Sequence, residues 1–163
     1  MESISFNPII NLESKILILG TMPGIKSLEA DQYYAHQRNA FWPIMFKIFD
    51  KKLTENYKAR KEFILKNHLA LWDTLMFCFR EGSLDSKIKK EQPNRIYELL
   101  NTYPSIHSII FNGKAAEKFH NRYFTKQSSI SYYTLPSTSP ANARKTFDEK
   151  LSGWAIIKEL LKY

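Results

Sequence analysis

Cysteine is almost absent from this chain of 163 residues, which contains only Cys78. A lone cysteine forms no disulfide within the chain and cannot supply an iron–sulfur cluster or a cysteine-rich zinc site. Its neighbours Leu75, Met76, Phe77 and Phe79 are all hydrophobic, so we expect Cys78 to be a small core residue. Long hydrophobic runs are missing too. No stretch of about 18 apolar residues occurs, which predicts no transmembrane helix.

The signature motifs of several enzyme classes are also missing. The chain has no G-x-x-x-x-G-K-[ST] phosphate loop, no G-x-G-x-x-G fingerprint and no G-x-S-x-G elbow. Their absence argues against nucleotide hydrolysis, dinucleotide redox chemistry and α/β-type serine hydrolysis. The four histidines, at positions 36, 68, 107 and 120, show no paired metal spacing. We therefore expect no metal site and no small-molecule cofactor, and we interpret His107 as structural.

The N-terminus, Met1-Glu2-Ser3-Ile4, lacks the basic and then apolar pattern of a secretory signal. This predicts an intracellular, cytoplasmic protein. Hydrophobic residues make up 44% of the chain and aromatic residues 14%, which is enough to fill a core. The length suits one domain spanning residues 1–163.

Positive charge is what the chain has in excess. Lys and Arg number 24 against 16 Asp and Glu, for a formal net charge of +8. Such an excess favours a polyanionic partner such as nucleic acid, because cations on one face displace the counterions held by phosphates. The alternative is that the lysines are scattered over the surface for solubility. Charge alone leaves these two interpretations evenly matched.

Short apolar runs alternate with segments of helical periodicity along the chain. The run Ile16-Leu17-Ile18-Leu19 stops at Gly20, which is typical of a strand buried on both faces. Three further strands are predicted at 69–73, 106–111 and 130–135. Helices are predicted at 41–49, at about 55–66, from Pro93 to Tyr103, around 115–119 and at 147–161. This alternation predicts an α/β fold with an open parallel sheet covered on both faces.

In such a fold the ligand site lies at the carboxyl ends of the strands, where the loops converge. Two long loops reach that position: the first loop, residues 20–38, and the last loop, residues 136–146. Asp73 and Asn112 end the middle strands. The first loop offers a tight turn, aromatic rings and, at the start of the next helix, the carboxamide of Asn39. The last loop places small hydroxyl groups and free amides between two prolines, and Arg144 is available to reach a phosphate.

Taken together, the two loops resemble those of the uracil-DNA glycosylase superfamily. The segments that carry the resemblance are Gly20-Thr21-Met22-Pro23-Gly24, the Asn-Ala-Phe-Trp sequence from Asn39, and Leu-Pro-Ser-Thr-Ser-Pro-Ala-Asn-Ala from Leu135. The hypoxanthine-DNA (deoxyinosine) glycosylase branch is the most similar. Leu71-Trp72-Asp73 and the segment from Arg80 to Ser86 also look like that branch, so the resemblance spans about residues 15–145.

The resemblance implies a three-layer α/β/α sandwich around a central four-stranded parallel sheet. It also implies a monofunctional DNA glycosylase, which flips a deaminated base, most notably hypoxanthine, out of double-stranded DNA and hydrolyses its N-glycosidic bond. No cofactor or metal is expected, and a monomer is the simplest state. The roles that follow are catalysis by Asn39, base binding by Met22, Pro23, Gly24, Tyr34, His36 and Asn112, and DNA binding by Ser137, Thr138, Ser139, Pro140, Asn142 and Arg144.

One position departs from the superfamily pattern. Many relatives carry Asp or Asn within G-x-[DN]-P to activate water, but here that position is Met22, whose side chain cannot polarise water. This departure weakens the expectation of efficient uracil removal and is what the hypoxanthine branch would show. Two alternatives stay open: a uracil or G:T/U mismatch glycosylase, and a non-catalytic DNA-binding module on the same fold.

Three residues also have structural interpretations. Asn39 precedes a helix and suits an N-cap, a role that is compatible with catalysis. Asn112 reads the edge of the base or serves as a turn residue before Gly113. Asp73 supports the pocket through hydrogen bonds or simply ends a strand.

Overall fold

A computed structural model describes residues 1–163. The main sheet has four parallel strands in the order β3-β2-β6-β7. The helices and strands of the whole chain, in order, are β1 (Glu2–Ile4), β2 (Ile16–Gly20), α1 (Ile25–Ala30), α2 (Phe41–Ile48), α3 (Tyr57–Lys66), β3 (Leu69–Asp73), β4 (Leu75–Phe79), β5 (Lys89–Pro93), α4 (Ile96–Thr102), β6 (Ser108–Asn112), α5 (Lys114–Tyr123), β7 (Ser131–Leu135), α6 (Phe147–Trp154) and α7 (Ile156–Leu160).

Both faces of the main sheet are covered by helices, which confirms the predicted sandwich. On one face Ile16 and Ile18 of β2 pack into a cluster with α2, α3, α6 and α7. On the other face Leu17 and Leu19 pack with residues of α4 and α5. Since every residue of β2 is buried, this strand forms the centre of the hydrophobic core. None of the helices combines the length and the apolar character that crossing a membrane requires.

The register of the parallel strands brings four strand ends to one edge of the sheet. Gly20 pairs with Asp73, and Asn112 pairs with Leu135. The first loop leaves this edge after Gly20, and it contains the short helix α1. The last loop leaves it after Leu135. The main sheet therefore brings together the two loops that carry the predicted site.

A second sheet, which the sequence reasoning missed, lies beside the first. It is antiparallel, with strand order β1-β4-β5. The prediction that a helix starts at Pro93 is wrong, because Pro93 ends β5 and α4 begins at Ile96. The backbone N–H of the intervening residue Asn94 donates to the carbonyl of Thr74 at 2.8 Å, which keeps the chain extended past the proline.

Smaller corrections concern the last helix and one core residue. The predicted helix at 147–161 is interrupted at Ala155, which ends α6 and precedes α7. Phe147, the first residue of α6, is 39% exposed. Cys78 is fully buried beside Leu75 and Phe119, as expected for a core residue. His107 lies just before β6 rather than within it, and its Nδ1 is 2.8 Å from the Ser108 hydroxyl.

Candidate active site

A cavity of about 800 Å³ opens at the edge of the main sheet where the four strands end. This volume is within the usual range for small-molecule pockets. The first and last loops form its walls, and all thirteen site residues proposed from the sequence line it. A smaller hollow of about 380 Å³ lies around Phe46 and Phe147 and contains none of them. The cavity is therefore the candidate active site.

Thr138 joins the last loop to the rest of the cavity wall. Its carbonyl accepts a hydrogen bond from the Ala40 amide at 3.0 Å, which connects the last loop to the start of α2. Its own amide donates to Asn112 Oδ1 at 2.9 Å, and its hydroxyl accepts from Asn112 Nδ2 at 3.0 Å. Because Thr138 is fully buried, its side chain does not lie on the surface that the predicted DNA contact requires. It holds the loop in place instead.

The Asn112 side chain is hydrogen-bonded to the last loop, and these bonds leave one amide hydrogen and one lone pair of its oxygen unused by Thr138. Both ends of its amide bond Thr138, and the residue is only 8% exposed. The next residue, Gly113, has φ +94, a conformation that glycine adopts readily and other residues rarely do. A Cβ at Gly113 would lie 2.9 Å from Cβ of Ser137, so the glycine also allows the last loop to pack against β6.

The remaining polar groups of the last loop bond mostly to one another. Ser137 Oγ accepts from the amide of Ser139, and Ser139 Oγ accepts from that of Ala141. Asn142 donates to the Ser137 carbonyl at 3.0 Å. The buried ammonium group of Lys150, on α6, donates to the carbonyl of Ser139 at 3.2 Å. The loop is thus held in one shape by its own hydrogen bonds.

Asn39 combines a structural bond with an unused donor. Its Oδ1 accepts from the backbone N–H of Phe41, the first residue of α2, at 2.9 Å. Its own N–H donates to the carbonyl of His36 at 2.9 Å. Because an amide hydrogen requires an acceptor, the carboxamide oxygen must be the end that faces Phe41. The NH₂ group has no protein partner and is left to donate to a ligand in the cavity.

Of the two neighbouring tyrosines, Tyr34 has the conformation of a site residue. Its φ is +55, which is uncommon for a residue other than glycine. One face of its ring stacks on Phe41, with centroids 4.1 Å apart, so only the opposite face is available to another ring. Its buried hydroxyl makes no hydrogen bond of normal geometry, although the Asn112 side chain lies near enough to oppose the rise in the pKa of Tyr34. Tyr33, by contrast, is 4% exposed and donates its hydroxyl hydrogen to the carbonyl of Asn7.

Asp73, which the sequence reasoning left between a functional and a structural role, is a buried acid at the base of the cavity. It is 4% exposed, and its Oδ2 has no hydrogen-bond partner. Burial, with a smaller contribution from the negative charge of Asp85, raises the pKa of Asp73 to about 7, and the Arg80 guanidinium opposes this shift. Burial and the charge of Asp73 likewise raise the pKa of Tyr34. We call Gly20, Tyr34 and Asp73 the cavity floor.

The other expected base-binding residues contribute in different ways. Met22 is 7% exposed and packs with Leu75, Cys78 and Phe119, so most of its side chain belongs to a hydrophobic cluster. His36 lines the cavity, and its Nδ1 accepts from the amide of Arg38 at 3.1 Å. Pro23 and Gly24 form the wall where the first loop meets the segment from Arg80 to Ser86.

Arg80, Ser83 and Asp85 hold this wall, and sequence reasoning gave them no role. The buried guanidinium of Arg80 bonds the carbonyls of Pro23 and Ser83 and lies 3.8 Å from Asp85. Ser83 Oγ accepts from the amide of Ile25 at 2.8 Å. The sequence offers one hint of this role, which is the presence of Arg80 in an otherwise polar loop. Nothing in the sequence indicates that its side chain points inward.

Four basic side chains lie around the mouth of the cavity: Lys26, Lys114, Arg144 and Lys145. Lys26 forms an ion pair with Glu29 at 3.6 Å, and Lys145 forms one with Glu149 at 3.9 Å. Lys114 and Arg144 have no ion-pair partner. The mouth therefore presents positive charge to whatever enters, as binding of a phosphate backbone requires. No group of three or more His, Cys, Asp or Glu side chains is arranged to hold a metal ion.

Comparison with known proteins identifies relatives over almost the whole chain. A family model described as the uracil DNA glycosylase superfamily matches residues 8–160. A hypoxanthine DNA glycosylase of Methanosarcina barkeri (strain Fusaro / DSM 804) is 36% identical over 158 residues, which cover 95% of this chain and 97% of the relative. A hypoxanthine DNA glycosylase of Methanosarcina acetivorans is 33% identical over 142 residues, covering 85% of this chain and 87% of the relative.

A solved structure has the same fold. The solution NMR structure of a candidate uracil DNA glycosylase from Methanosarcina acetivorans superposes with a TM-score of 0.85 at 29% sequence identity. The superposition covers 98% of this chain and 99% of the other. The four-stranded parallel sheet with its flanking helices is therefore shared with a protein of experimentally determined structure.

Proposed function

The chain belongs to the uracil DNA glycosylase superfamily, and we propose that it is a monofunctional DNA glycosylase that removes hypoxanthine from deoxyinosine in double-stranded DNA. The observation that carries this proposal is the orientation of Asn39. Its oxygen is held by the amide of Phe41 at 2.9 Å, so its NH₂ group is the free donor in the cavity wall. Both curated relatives described above are named as hypoxanthine DNA glycosylases, and that substrate is carried over to this chain as part of the proposal.

The reaction is hydrolysis at C1′ of the deoxyribose. The C1′–N9 bond breaks, and its electron pair leaves with the base while the sugar gains oxocarbenium character. The oxygen of water bonds to C1′ and loses a proton to solvent, and the departing base takes up a proton to become free hypoxanthine. The enzyme therefore has two tasks, which are to stabilise negative charge on the base and to present water to C1′.

Asn39 performs the first task by donating to the departing base. A donor that is already in place costs no reorganisation when charge develops, and one such donor contributes about 3–4 kcal/mol to transition-state stabilisation in comparable sites. Tyr34 presents the uncovered face of its ring to the extruded base. Flipping a nucleotide into the cavity distorts the duplex that it leaves. The rigid last loop lies beside the cavity, in position to fill or support this distorted duplex.

Uracil is the second candidate substrate. The solved neighbour is described as a uracil glycosylase candidate, and uracil shares with hypoxanthine a carbonyl group next to a ring N–H. The position where other members carry a water-activating Asp or Asn is Met22, which is 7% exposed and packed into a hydrophobic cluster. A side chain that cannot polarise water at this position favours hypoxanthine over uracil as the main substrate.

The test is base removal from defined duplexes. Purified protein is incubated in EDTA with end-labelled duplexes that carry one inosine, uracil, xanthine, ethenocytosine or undamaged adenine, and half of each sample is then treated with alkali. We expect breaks at inosine that depend on alkali, since a monofunctional enzyme leaves the abasic strand intact. Cleavage at uracil alone would favour the second candidate. Binding without cleavage at any base would identify a non-catalytic DNA-binding module.

A further inference from the structure

One basic side chain is buried behind the last loop instead of being exposed at the mouth of the cavity. Lys150, on α6, is only 6% exposed, and its Nζ donates to the carbonyl of Ser139 at 3.2 Å. The adjacent acid Glu149 does not neutralise it, since Glu149 bonds the backbone of Thr146 and pairs with Lys145. Burial lowers the pKa of the Lys150 ammonium group. Lysine is rarely buried without a partner of opposite charge, so this position requires an explanation.

The carbonyl that Lys150 bonds belongs to a tight turn of the last loop. The Asn142 amide donates to the same oxygen at 3.0 Å, which closes a β-turn over residues 139–142. Pro140 occupies the second position of this turn, where the fixed φ of proline is favourable. All four residues of the turn line the cavity. Lys150 therefore supports, from the side of α6, the part of the last loop that borders the cavity.

The last loop does not need a charged side chain at position 150 to complete its hydrogen bonds. Without Lys150, the Ser139 carbonyl would still accept from the Asn142 amide. The same helix also holds the start of the loop through a neutral donor, because the indole N–H of Trp154 donates to the Pro136 carbonyl at 2.8 Å. A neutral side chain would therefore suffice if α6 had only to hold the loop in place. The positive charge has to serve another purpose.

On the basis of the proposed function, we propose that Lys150 is a positioning residue whose positive charge sets the 139–142 turn for binding the phosphate backbone of DNA. A charged donor makes a stronger hydrogen bond than a neutral one, so the ammonium group holds the Ser139 carbonyl oxygen towards α6. That oxygen carries partial negative charge and would repel phosphates if it turned outward. The buried cation also adds positive potential to the loop, and the phosphates of bound DNA supply the negative charge that the free protein lacks there.

The alternative is that Lys150 only stabilises the fold. The two roles predict opposite changes in stability when the charge is removed. Replacing a buried, unneutralised charge with an apolar side chain of similar volume is often neutral or stabilising. The proposal therefore predicts that Lys150→Met keeps or raises the melting temperature while it lowers the affinity for DNA. A side chain that only stabilised the fold would lower the melting temperature when replaced.

The experiment compares the wild type with Lys150→Met, Lys150→Arg and Lys158→Met. Methionine keeps an unbranched side chain without the charge, whereas arginine keeps both the charge and the donors. Lys158, an exposed residue of α7, is the matched control for the loss of one positive charge. Affinity is measured with a duplex that carries a tetrahydrofuran abasic-site analogue, which cannot be hydrolysed. Base removal is measured in single turnover on an inosine duplex, and thermal unfolding is followed for every protein.

We expect Lys150→Met to bind the duplex about 10-fold more weakly, the effect of losing one hydrogen bond from a charged donor. Its single-turnover rate at saturating protein should stay within about threefold of the wild type, because the loss lies in binding and not in chemistry. Its melting temperature should equal or exceed that of the wild type. Lys150→Arg should recover most of the affinity. Lys158→Met should lose less than about twofold, because an exposed charge far from the DNA is screened by salt.

Several outcomes would overturn the proposal. If Lys150→Met binds as Lys158→Met does, Lys150 has no role in DNA binding. A lower melting temperature in Lys150→Met, whatever its affinity, would show that Lys150 stabilises the fold. If Lys150→Arg does not fold, the comparison of Lys150→Met with Lys158→Met decides alone. Failure of the wild type to release a base from any inosine duplex would contradict the proposed function, whereas the affinity comparison needs no cleavage and still decides the role of Lys150.

Discussion

The last loop and the cavity floor treat their polar groups in opposite ways. In the last loop the hydroxyl, amide and carbonyl of buried Thr138 all have protein partners. In the cavity floor Asp73 Oδ2 and the Tyr34 hydroxyl have none. Each unsatisfied buried group costs about 1–3 kcal/mol of stability, so the floor is maintained at the expense of the fold. The difference indicates that hydrogen bonds fix the shape of the last loop, whereas the cavity floor keeps two buried polar groups unpaired.

Asn39 combines the two arrangements. Its side-chain oxygen accepts a hydrogen bond from Phe41, whereas its NH₂ group has no protein partner. Replacing it with Asp keeps an acceptor for the Phe41 amide but removes the donor. We expect kcat/KM on an inosine duplex to fall by about 100-fold or more, with little change in melting temperature or in affinity for undamaged duplex. Asn39→Ala should lose the same activity and also about 0.5–1.5 kcal/mol of stability, the contribution of one hydrogen bond, because the Phe41 amide loses its acceptor; the N-cap of α2 is Ala40 rather than Asn39. Turnover of Asn39→Asp at the wild-type rate would show that the open donor has no catalytic role.

The Asp73→Asn variant tests how much the buried carboxyl group of Asp73, in the cavity floor, lowers the free energy of unfolding. The pKa of Asp73 is about 7 in the folded protein, against about 3.9 in an unfolded chain. Between these values the folded state keeps a proton that the unfolded state releases, so raising the pH favours unfolding until about pH 7, above which the cost is constant. The wild type should therefore lose on the order of 4 kcal/mol relative to Asp73→Asn between pH 4 and pH 8. Denaturant titrations of both proteins at these two pH values measure it, and equal pH dependence would contradict a buried, unpaired carboxyl group.

Thr138→Val tests whether the hydrogen bond of the Thr138 hydroxyl holds the last loop in place. Valine keeps the shape but removes the acceptor for Asn112 Nδ2, which then lies buried without a partner. We expect a loss of about 1–3 kcal/mol in the free energy of unfolding and weaker binding of duplex DNA. Thr138→Ser, which keeps the hydroxyl, serves as the matched control and should preserve the bond. If both variants bind DNA and unfold like the wild type, the hydrogen bond between Asn112 and Thr138 is not what holds the loop.

The smallest effect is expected at the mouth of the cavity. Arg144 has no ion-pair partner, so Arg144→Ala should leave the melting temperature unchanged. It should weaken binding to all duplexes alike and reduce the slope of log K against log salt concentration by about 0.9, the contribution of one phosphate contact. Lys158→Ala, an exposed lysine outside the cavity, is the control and should leave the slope unchanged. An unchanged slope in Arg144→Ala would place the DNA backbone elsewhere.

The three inner and neighbouring strands β2, β3 and β6 were predictable from sequence because they are short, mostly apolar runs that end at Gly20, Asp73 and Asn112 and are buried along their whole length. Burial on both faces leaves that clear trace. The second sheet was not predictable in the same way. Its middle strand, β4, is hydrophobic throughout and read as core, and β5 is polar and ends in a proline that resembled a helix start. Pairing between β1 and β4 joins residues about 75 positions apart, which local patterns do not encode.

The sequence predicted which loops form the candidate site, but it did not predict which hydrogen bonds the side chains of these loops make. Sequence identified Asn39 and the segment from Ser137 to Pro140, and the structure places them around one cavity. That Thr138 faces inward and that Arg80 crosses to the first loop depend on tertiary contacts between distant segments. The unpaired polar atoms of Asp73 and Tyr34 depend on the close approach of β2, β3 and the first loop at Gly20. Such features emerge only when the chain is folded.

Direct identification of the released base tests the central claim. The wild-type protein is incubated with a duplex that carries one deoxyinosine, and small molecules are separated and analysed by mass spectrometry alongside a count of abasic sites. The proposed function predicts one free hypoxanthine for each abasic site, with the DNA strand still continuous. Abasic sites without free hypoxanthine, strand breaks before alkali, or no released base at all would contradict it.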